Sequence, residues 1–425
     1  MGLGRHGGGV GAARYLAEQG ARVTVTDLAD ADALADSLEE LAGAGIERFH
    51  LGGHREADLT EADLVVVNPA VRPDNPWVEV ARTAGAQIKS EIELFLDACP
   101  APVIGVTGTT GKSTTAAMIA AALDAAGRRS WLGGNIGRSL LADLPQIQPD
   151  DWVVLELSSF QLHWLGENVR WPELAVLTNF APNHLDWHGS VDHYRQSKQR
   201  LLDPVRQAFQ LDSRAGQASS PDCQAGKPDL RWPDADVPIL RVPGHHNRAN
   251  AALAASAASA AGADRDSIIS GLAAFTGLPH RLTIVGEIAG RLFINDSKAT
   301  TPEAAIAALE SMDRPTWILL GGSDKQIELF PLALAAGMLA KGAAVYGAVG
   351  DKLDRLLAAH APRLERSCAN RLDEALDWCW QRSQPGDAIL LSPACASLDQ
   401  FRDYIDRGTA FMRLVEELAI IEQIR

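Results

Sequence analysis

The run Val103-Ile-Gly-Val-Thr-Gly-Thr-Thr-Gly-Lys-Ser-Thr-Thr115 sets a short apolar stretch before a glycine-rich turn, a lysine and several hydroxyls. Backbone N–H groups of such a turn, with the start of a following helix, cradle phosphate oxygens. The lysine reaches the outer phosphates and a hydroxyl can serve Mg²⁺. The strict pattern GxxxxGK[ST] wants glycine where Val106 stands, so the match is to a shorter form, GTTGKST. A helix is expected over Thr114–Ala126, closed by Gly127.

Further along, Glu156 closes the apolar run Trp152–Leu155 and precedes Ser158-Ser159-Phe160-Gln161. A carboxylate at the C-terminal edge of a parallel sheet, beside a phosphate loop, holds Mg²⁺ or orients a water. Otherwise it is a capping or surface residue. Asn179-Phe-Ala-Pro-Asn-His-Leu-Asp-Trp-His188 then offers His184 or Asp186 to the same crevice, or forms only a turn. Lys198 lies on a candidate helix, Tyr194–Leu202, whose other basic residues look solvated; from spacing alone it reads as a surface residue.

Near the start, Gly2-x-Gly4-x-x-Gly7 is followed by Asp27, twenty residues after Gly7. That spacing suits phosphates on the loop and a ribose or base on the acid, or an ordinary tight turn. The strand that should precede the loop is missing from the sequence, which opens at the loop itself. In the last third, Asn295–Thr300, Gly321–Lys325 and Ser392–Phe401 each follow a strand candidate. Three polar loops at strand C-termini should line one rim and receive carboxylates or phosphates.

The elements that position these loops are legible as alternation. Strand candidates are Arg22–Asp27, Asp63–Asn68, Val103–Thr107, Trp152–Leu157, Leu174–Asn179, Leu292–Ile294, Trp317–Gly321, Ala344–Val349 and Ala388–Ser392. Each is short and apolar on both faces, the pattern of a parallel strand between helix layers. The fold expected is α/β with right-handed crossovers. Breaks at Ala98–Pro102 and Gly277–Arg281 give three domains, 1–98, 99–276 and 277–425, and Asp212–Pro238 reads as a surface excursion of the second.

Composition narrows the function. Hydrophobic residues make up 46% and charged residues 22% of 425, an ordinary globular mix. The net charge of −15 argues against a dedicated nucleic-acid or anionic-membrane binder. Five cysteines without CxxC spacing read as reduced thiols, so a cytoplasmic protein is expected. MGLGRHGGG lacks a signal-peptide core, and Ala251–Ala263 is too short to span a bilayer.

Taken together, these motifs resemble the Mur ligase family, over nearly the full length and in the family's order. The resemblance rests on GTTGKST (108–114), GGNIG (133–137), ELSSFQL (156–162), NHLD (183–186), YRQSK (194–198), GHHNRAN (244–250), GLPHR (277–281), NDSKAT (295–300), GGSDK (321–325) and SPACASLDQF (392–401). The last two with NDSKAT point to the D-glutamate-adding members. The resemblance implies a Rossmann-like N-terminal domain, a P-loop NTPase-like central domain and a Rossmann-like C-terminal domain. It also implies a monomeric, ATP-dependent ligase that joins D-glutamate to UDP-N-acetylmuramoyl-L-alanine through an acyl phosphate, with two Mg²⁺.

Carried across by motif, Gly108, Thr109, Thr110, Gly111, Lys112, Ser113 and Thr114 would bind ATP phosphates, and Asn250, His280, Arg281 and Asp296 its adenine and ribose. Ser113, Glu156, His184 and a carbamylated Lys198 would hold Mg²⁺, which reverses the surface reading of Lys198. Asn135 would contact the muramoyl-peptide. Arg5, His6, Asp27 and Asn68 would receive uridine diphosphate, and Thr300, Lys325, Ser397 and Leu398 the incoming glutamate. The chain departs from the family pattern at Arg5 and His6, at Asn183 (where an acid is usual), in its missing first strand and in a short polar stretch between Leu202 and Val242. A sister ligase adding another amino acid, or a decayed relative that binds nucleotide without turnover, are the alternatives.

Overall fold

The computed structural model describes residues 1–4, 7–136, 139–203, 205, 207–211, 218–219, 232–242, 244–324 and 328–424. Arg5, His6, Lys325 and most of Asp212–Pro238 lie outside the described residues. The chain divides into two compact units, residues 1–239 with 248–274 and residues 240–247 with 275–425.

The first unit opens with two parallel strand pairs, Thr24–Thr26 with Arg48–His50 and Leu64–Val66 with Gln87–Lys89. Met1 and Gly2 lie between them and bond to both. The Met1 ammonium donates to the Val66 carbonyl at 2.9 Å, and Gly2 N–H donates to the Thr26 carbonyl at 2.8 Å. The same unit holds a six-stranded sheet in the order Ala218–Ser219, Gln207–Leu211, Leu174–Leu177, Val103–Thr107, Trp152–Glu156, Ser130–Gly134. It is parallel apart from the Ala218–Ser219 edge. Val103–Thr107 and Trp152–Glu156 are buried at every position, as strands covered on both faces must be. Gln207–Leu211 and Ala218–Ser219 supply strands in the stretch that the sequence reading treated as shortened and polar.

The second unit is built on the order Thr283–Ile288, Arg291–Asn295, Ala388–Ala394, Thr316–Gly321, Ala340–Tyr346, Glu365–Cys368. Only the Thr283–Ile288 edge runs antiparallel among these pairings. The expected strand Ala344–Val349 is shifted: it spans Ala340–Tyr346, and Val349 caps the helix Gly350–His360. Among the described residues no helix is long and apolar enough to cross a membrane.

Candidate active site

The phosphate loop leaves the buried strand Val103–Thr107 and enters the helix Lys112–Ala125, two residues earlier than the spacing suggested. Gly111 caps that helix at φ 79°, a left-handed conformation that favours glycine. A Cβ on Gly108 (φ 146°) would sit 2.0 Å from Thr178 Oγ1, and one on Gly111 would sit 2.6 Å from Asn250 Oδ1. These glycines therefore let Thr178 and Asn250 close on the loop from two sides.

The loop is held from the C-terminal end of the neighbouring strand, Leu174–Leu177. Thr110 N–H donates to Asn179 Oδ1 at 3.0 Å, while Asn179 Nδ2 donates back to the Thr110 carbonyl at 3.0 Å. The Thr178 hydroxyl donates to the same carbonyl at 2.5 Å. Thr109 Oγ1 meets the Tyr194 hydroxyl at 3.0 Å and donates to the Ala181 carbonyl at 2.9 Å. Lys112 Nζ folds back onto the Thr109 carbonyl at 3.0 Å. The result is a glycine-rich loop braced from the neighbouring strand end, with the Lys112 ammonium beside it. Asn179, Thr178 and Tyr194 received no role from the sequence, although Asn179 and Tyr194 stand inside the runs 179–188 and 194–198.

Glu156 ends its strand 2% exposed. Asn135 Nδ2 donates to Glu156 Oε1 at 2.8 Å and Asn135 N–H to the Glu156 carbonyl at 2.8 Å. Glu156 Oε2 is buried without a hydrogen-bond partner among the described residues. An unpaired buried carboxylate oxygen is costly, so it marks a place where a cation fits. Gly134, which leads into Asn135, has no room for a side chain: its Cβ would lie 2.3 Å from the Glu156 carbonyl.

Lys198 overturns the surface reading. It is 3% exposed, because the helix Val191–Leu202 turns Tyr194, Ser197, Lys198, Leu201 and Leu202 inward as one stripe. Its ammonium donates to the Gly108 carbonyl at 2.7 Å and lies 4.6 Å from the Tyr194 ring centre. Burial, helped by the Lys112 charge and opposed by Glu156, pulls its pKa down to about 7. His184 is exposed as a residue, in a left-handed turn at φ 53°, but its ring is partly covered, 4.9 Å from Phe160 and 6.5 Å from Tyr194. Burial and then the Lys112 charge lower its pKa.

Asp27 and Asn68 come together at the first glycine turn. Asp27 accepts from Gly4 N–H at 3.0 Å and from Ala29 N–H at 2.8 Å. Asn68 lies against Gly4, whose Cβ would be 2.9 Å from Asn68 Nδ2. Trp187 Nε1 and Arg72 NH1 tie this rim to the His184 turn, through the Ala70 and Asp186 carbonyls at 3.1 and 2.7 Å.

In the second unit the three polar loops leave adjacent parallel strands at one sheet edge. Asp296 is buried there, accepting from Ser392 Oγ at 2.7 Å and Leu282 N–H at 3.2 Å, and burial raises its pKa to about 7. His280 is held at φ 60° with Nδ1 3.0 Å from Asn295 Nδ2, and Arg281 follows it. Ser397 is buried, Thr300 half-buried and Leu398 exposed. Arg407, which the sequence did not single out, is fully buried beneath them. It donates to Ser297 Oγ at 2.9 Å, the Ser297 carbonyl at 2.7 Å and the Cys395 carbonyl at 3.0 Å, joining two of the loops.

Comparison with known proteins shows the family. Residues 1–90 match the Mur ligase MurD-like N-terminal domain, 106–213 the Mur ligase middle domain and 280–395 the Mur ligase glutamate ligase domain. The UDP-N-acetylmuramoylalanine–D-glutamate ligase of Roseiflexus sp. (strain RS-1) is 39% identical, covering 98% of this chain and 97% of the relative. The same-named ligase of Symbiobacterium thermophilum is 36% identical over 96% and 95%. Among solved structures, the UDP-N-acetylmuramate–alanine ligase of Thermotoga maritima shares the fold at a TM-score of 0.60 and 20% identity, covering 98% of both chains. A buried lysine and carboxylate beside a glycine-rich cradle, together with full-length identity of this order, lead to one assignment: the chain belongs to the Mur ligase family, in its UDP-N-acetylmuramoylalanine–D-glutamate ligase branch.

Proposed function

We propose that the chain is an ADP-forming ligase that joins D-glutamate to UDP-N-acetylmuramoyl-L-alanine, a step of peptidoglycan precursor synthesis. The observation that carries this reading is Glu156, with one oxygen held by Asn135 and the other buried and unpaired, beside a loop shaped for phosphates. The reading takes 1–98 as the UDP-binding domain, 99–276 as the ATP-binding domain and 277–425 as the domain that receives glutamate.

In the first step a carboxylate oxygen of the UDP-sugar peptide attacks the γ-phosphorus of ATP. The new O–P bond forms as the bond to the bridging oxygen breaks, and ADP leaves. The loop N–H groups of 108–114 and Lys112 bear the charge that builds on the transferred group. Asn135 fixes Glu156 and faces the muramoyl-peptide; Arg5, His6, Asp27 and Asn68 take the uridine diphosphate. In the second step the D-glutamate amine attacks the acyl carbon. A C–N bond forms, the C–O bond to phosphate breaks, and the amine gives up a proton. Thr300, Lys325, Ser397 and Leu398 hold the glutamate, whose two carboxylates need hydroxyl or cationic donors at two places. Asn250, His280, Arg281 and Asp296 serve adenine and ribose.

Ser113 and Glu156 would hold one Mg²⁺, His184 and Lys198 would help hold a second, and the ions would neutralise phosphate charge. Among the described residues no group of three or more His, Cys, Asp or Glu side chains is arranged to hold a metal ion. That suits Mg²⁺, which binds through one or two carboxylates together with substrate phosphates and water. The lowered pKa of Lys198 supports its carbamylation, since the neutral amine is the form that adds carbon dioxide. ATP and a UDP-sugar as substrates fit a cytoplasmic enzyme. The test is phosphate release with UDP-N-acetylmuramoyl-L-alanine, ATP, Mg²⁺ and D-glutamate, with L-alanine and L-glutamate as competitors for the last place. Release with L-alanine alone would make the chain a sister ligase; nucleotide binding without release would make it a decayed relative.

A further inference from the structure

Glu91 is a buried acid that the proposed reaction does not use. It opens the helix Glu91–Ala98, whose N-cap Ser90 accepts from Glu93 N–H, and is 8% exposed. Its carboxylate accepts a hydrogen bond from Ser139 Oγ. The same hydroxyl accepts from Leu141 N–H at 3.3 Å, so its proton is aimed at Glu91. Burial raises the Glu91 pKa to about 7, so near neutrality about half of the population carries the acid uncharged, the form that burial favours.

Ser139 is also where two further elements meet. A Cβ on Gly11, in the helix Gly8–Glu18 that begins at the first glycine turn, would lie 2.7 Å from both Ser139 Cβ and Oγ. That helix therefore packs against Ser139 with no side chain between. On the other side, Leu140 packs onto Gly133, whose Cβ would lie 2.4 Å from Leu140 Cγ. Gly133 and Gly134 end the strand that delivers Asn135 to Glu156. Ser139 and its neighbour Leu140 thus link the glycine-turn helix, the helix Glu91–Ala98 and the strand that carries Asn135.

We propose that the Glu91–Ser139 hydrogen bond, closed over Gly11, is a positioning joint for the UDP-sugar substrate, registering the glycine-turn helix against Asn135. The proposal rests on the ligase reading above. Glu91 touches no reacting group; it acts through Ser139. Losing the joint should cost binding of the long UDP-sugar, which spans both elements, and leave ATP and glutamate alone.

The experiment compares the intact wild-type chain with Glu91→Ala, Glu91→Gln, Ser139→Ala and the Glu91→Ala/Ser139→Ala pair. Melting temperature, kcat, the three KM values and equilibrium binding of UDP-N-acetylmuramoyl-L-alanine are measured for each. Glu91→Ala and Ser139→Ala should each weaken the UDP-sugar about tenfold, the loss expected for one buried hydrogen bond. Their kcat and the other two KM values should stay within about twofold. Because one interaction is removed twice, the pair should be no worse than the weaker single variant. Glu91→Gln keeps an oxygen for the Ser139 hydroxyl and should recover most of the affinity. An unchanged UDP-sugar KM in folded Glu91→Ala overturns the joint, as does a rise of all three KM values together. If Glu91→Ala does not fold, Ser139→Ala decides by the same criteria. A wild type that binds the UDP-sugar without turnover refutes the ligase reading, and the binding series then judges the joint alone; one that does neither refutes both.

Discussion

Lys198 sets the proposed chemistry against the stability of the fold. Burial takes its pKa from an ordinary 10.5 down to about 7. The unfolded chain therefore binds more protons throughout that interval. The lysine costs stability in full below about pH 7, and the cost fades as pH rises towards 10.5. With a tenfold change in proton affinity worth about 1.4 kcal/mol, the cost is about 4 kcal/mol at pH 7 and about 2 kcal/mol at pH 9. Lys198→Met removes it while giving up the hydrogen bond to Gly108 and the Tyr194 ring contact, together about 2 kcal/mol. The variant should be about 2 kcal/mol more stable than the wild type at pH 7 and roughly equal to it at pH 9. Phosphate release should be lost. The measurement is urea unfolding followed by circular dichroism, in chelator and carbon-dioxide-free buffer, at both pH values. A variant less stable than wild type at pH 7, or a difference that does not shrink by pH 9, refutes the reasoning.

Lys112→Ala should lower phosphate release by roughly a hundredfold or more, because the cation beside the transferred group is gone. The melting temperature should barely move, and near-normal release from the folded variant would remove Lys112 from that role. Gly108→Ala forces a Cβ to 2.0 Å from Thr178 Oγ1; calorimetry should show a melting temperature several degrees lower, and kinetics a raised KM for ATP. Wild-type values for both would mean that the loop has room the geometry denies. Lys325→Ala should raise the KM for D-glutamate roughly tenfold, since one charge-assisted hydrogen bond is lost. Those for ATP and the UDP-sugar should hold, and an unchanged glutamate KM would exclude Lys325 from that site.

The sequence alone carried the central strands and the phosphate loop, because both are local statements. Val103–Thr107 and Trp152–Glu156 are apolar on both faces, and the glycine, lysine and hydroxyl spacing writes the loop's backbone directly. The short edge strands Arg48–His50, Gln87–Lys89 and Glu365–Cys368 were not legible. One side of each meets solvent, so polar residues flank or replace the apolar ones and leave no apolar run to read as a strand. Lys198 was half-legible: the stripe Tyr194, Ser197, Lys198, Leu201, Leu202 is in the spacing, but a charged residue on it argues for the outer face until packing turns it inward. The partners of Arg407 stand up to 110 residues away at Ser297, and Ser139 meets Glu91 across 48. Backbone preferences reach only a few residues along the chain. Which buried polar group finds which partner is decided when the helices close on the sheet, and only the tertiary structure records that choice.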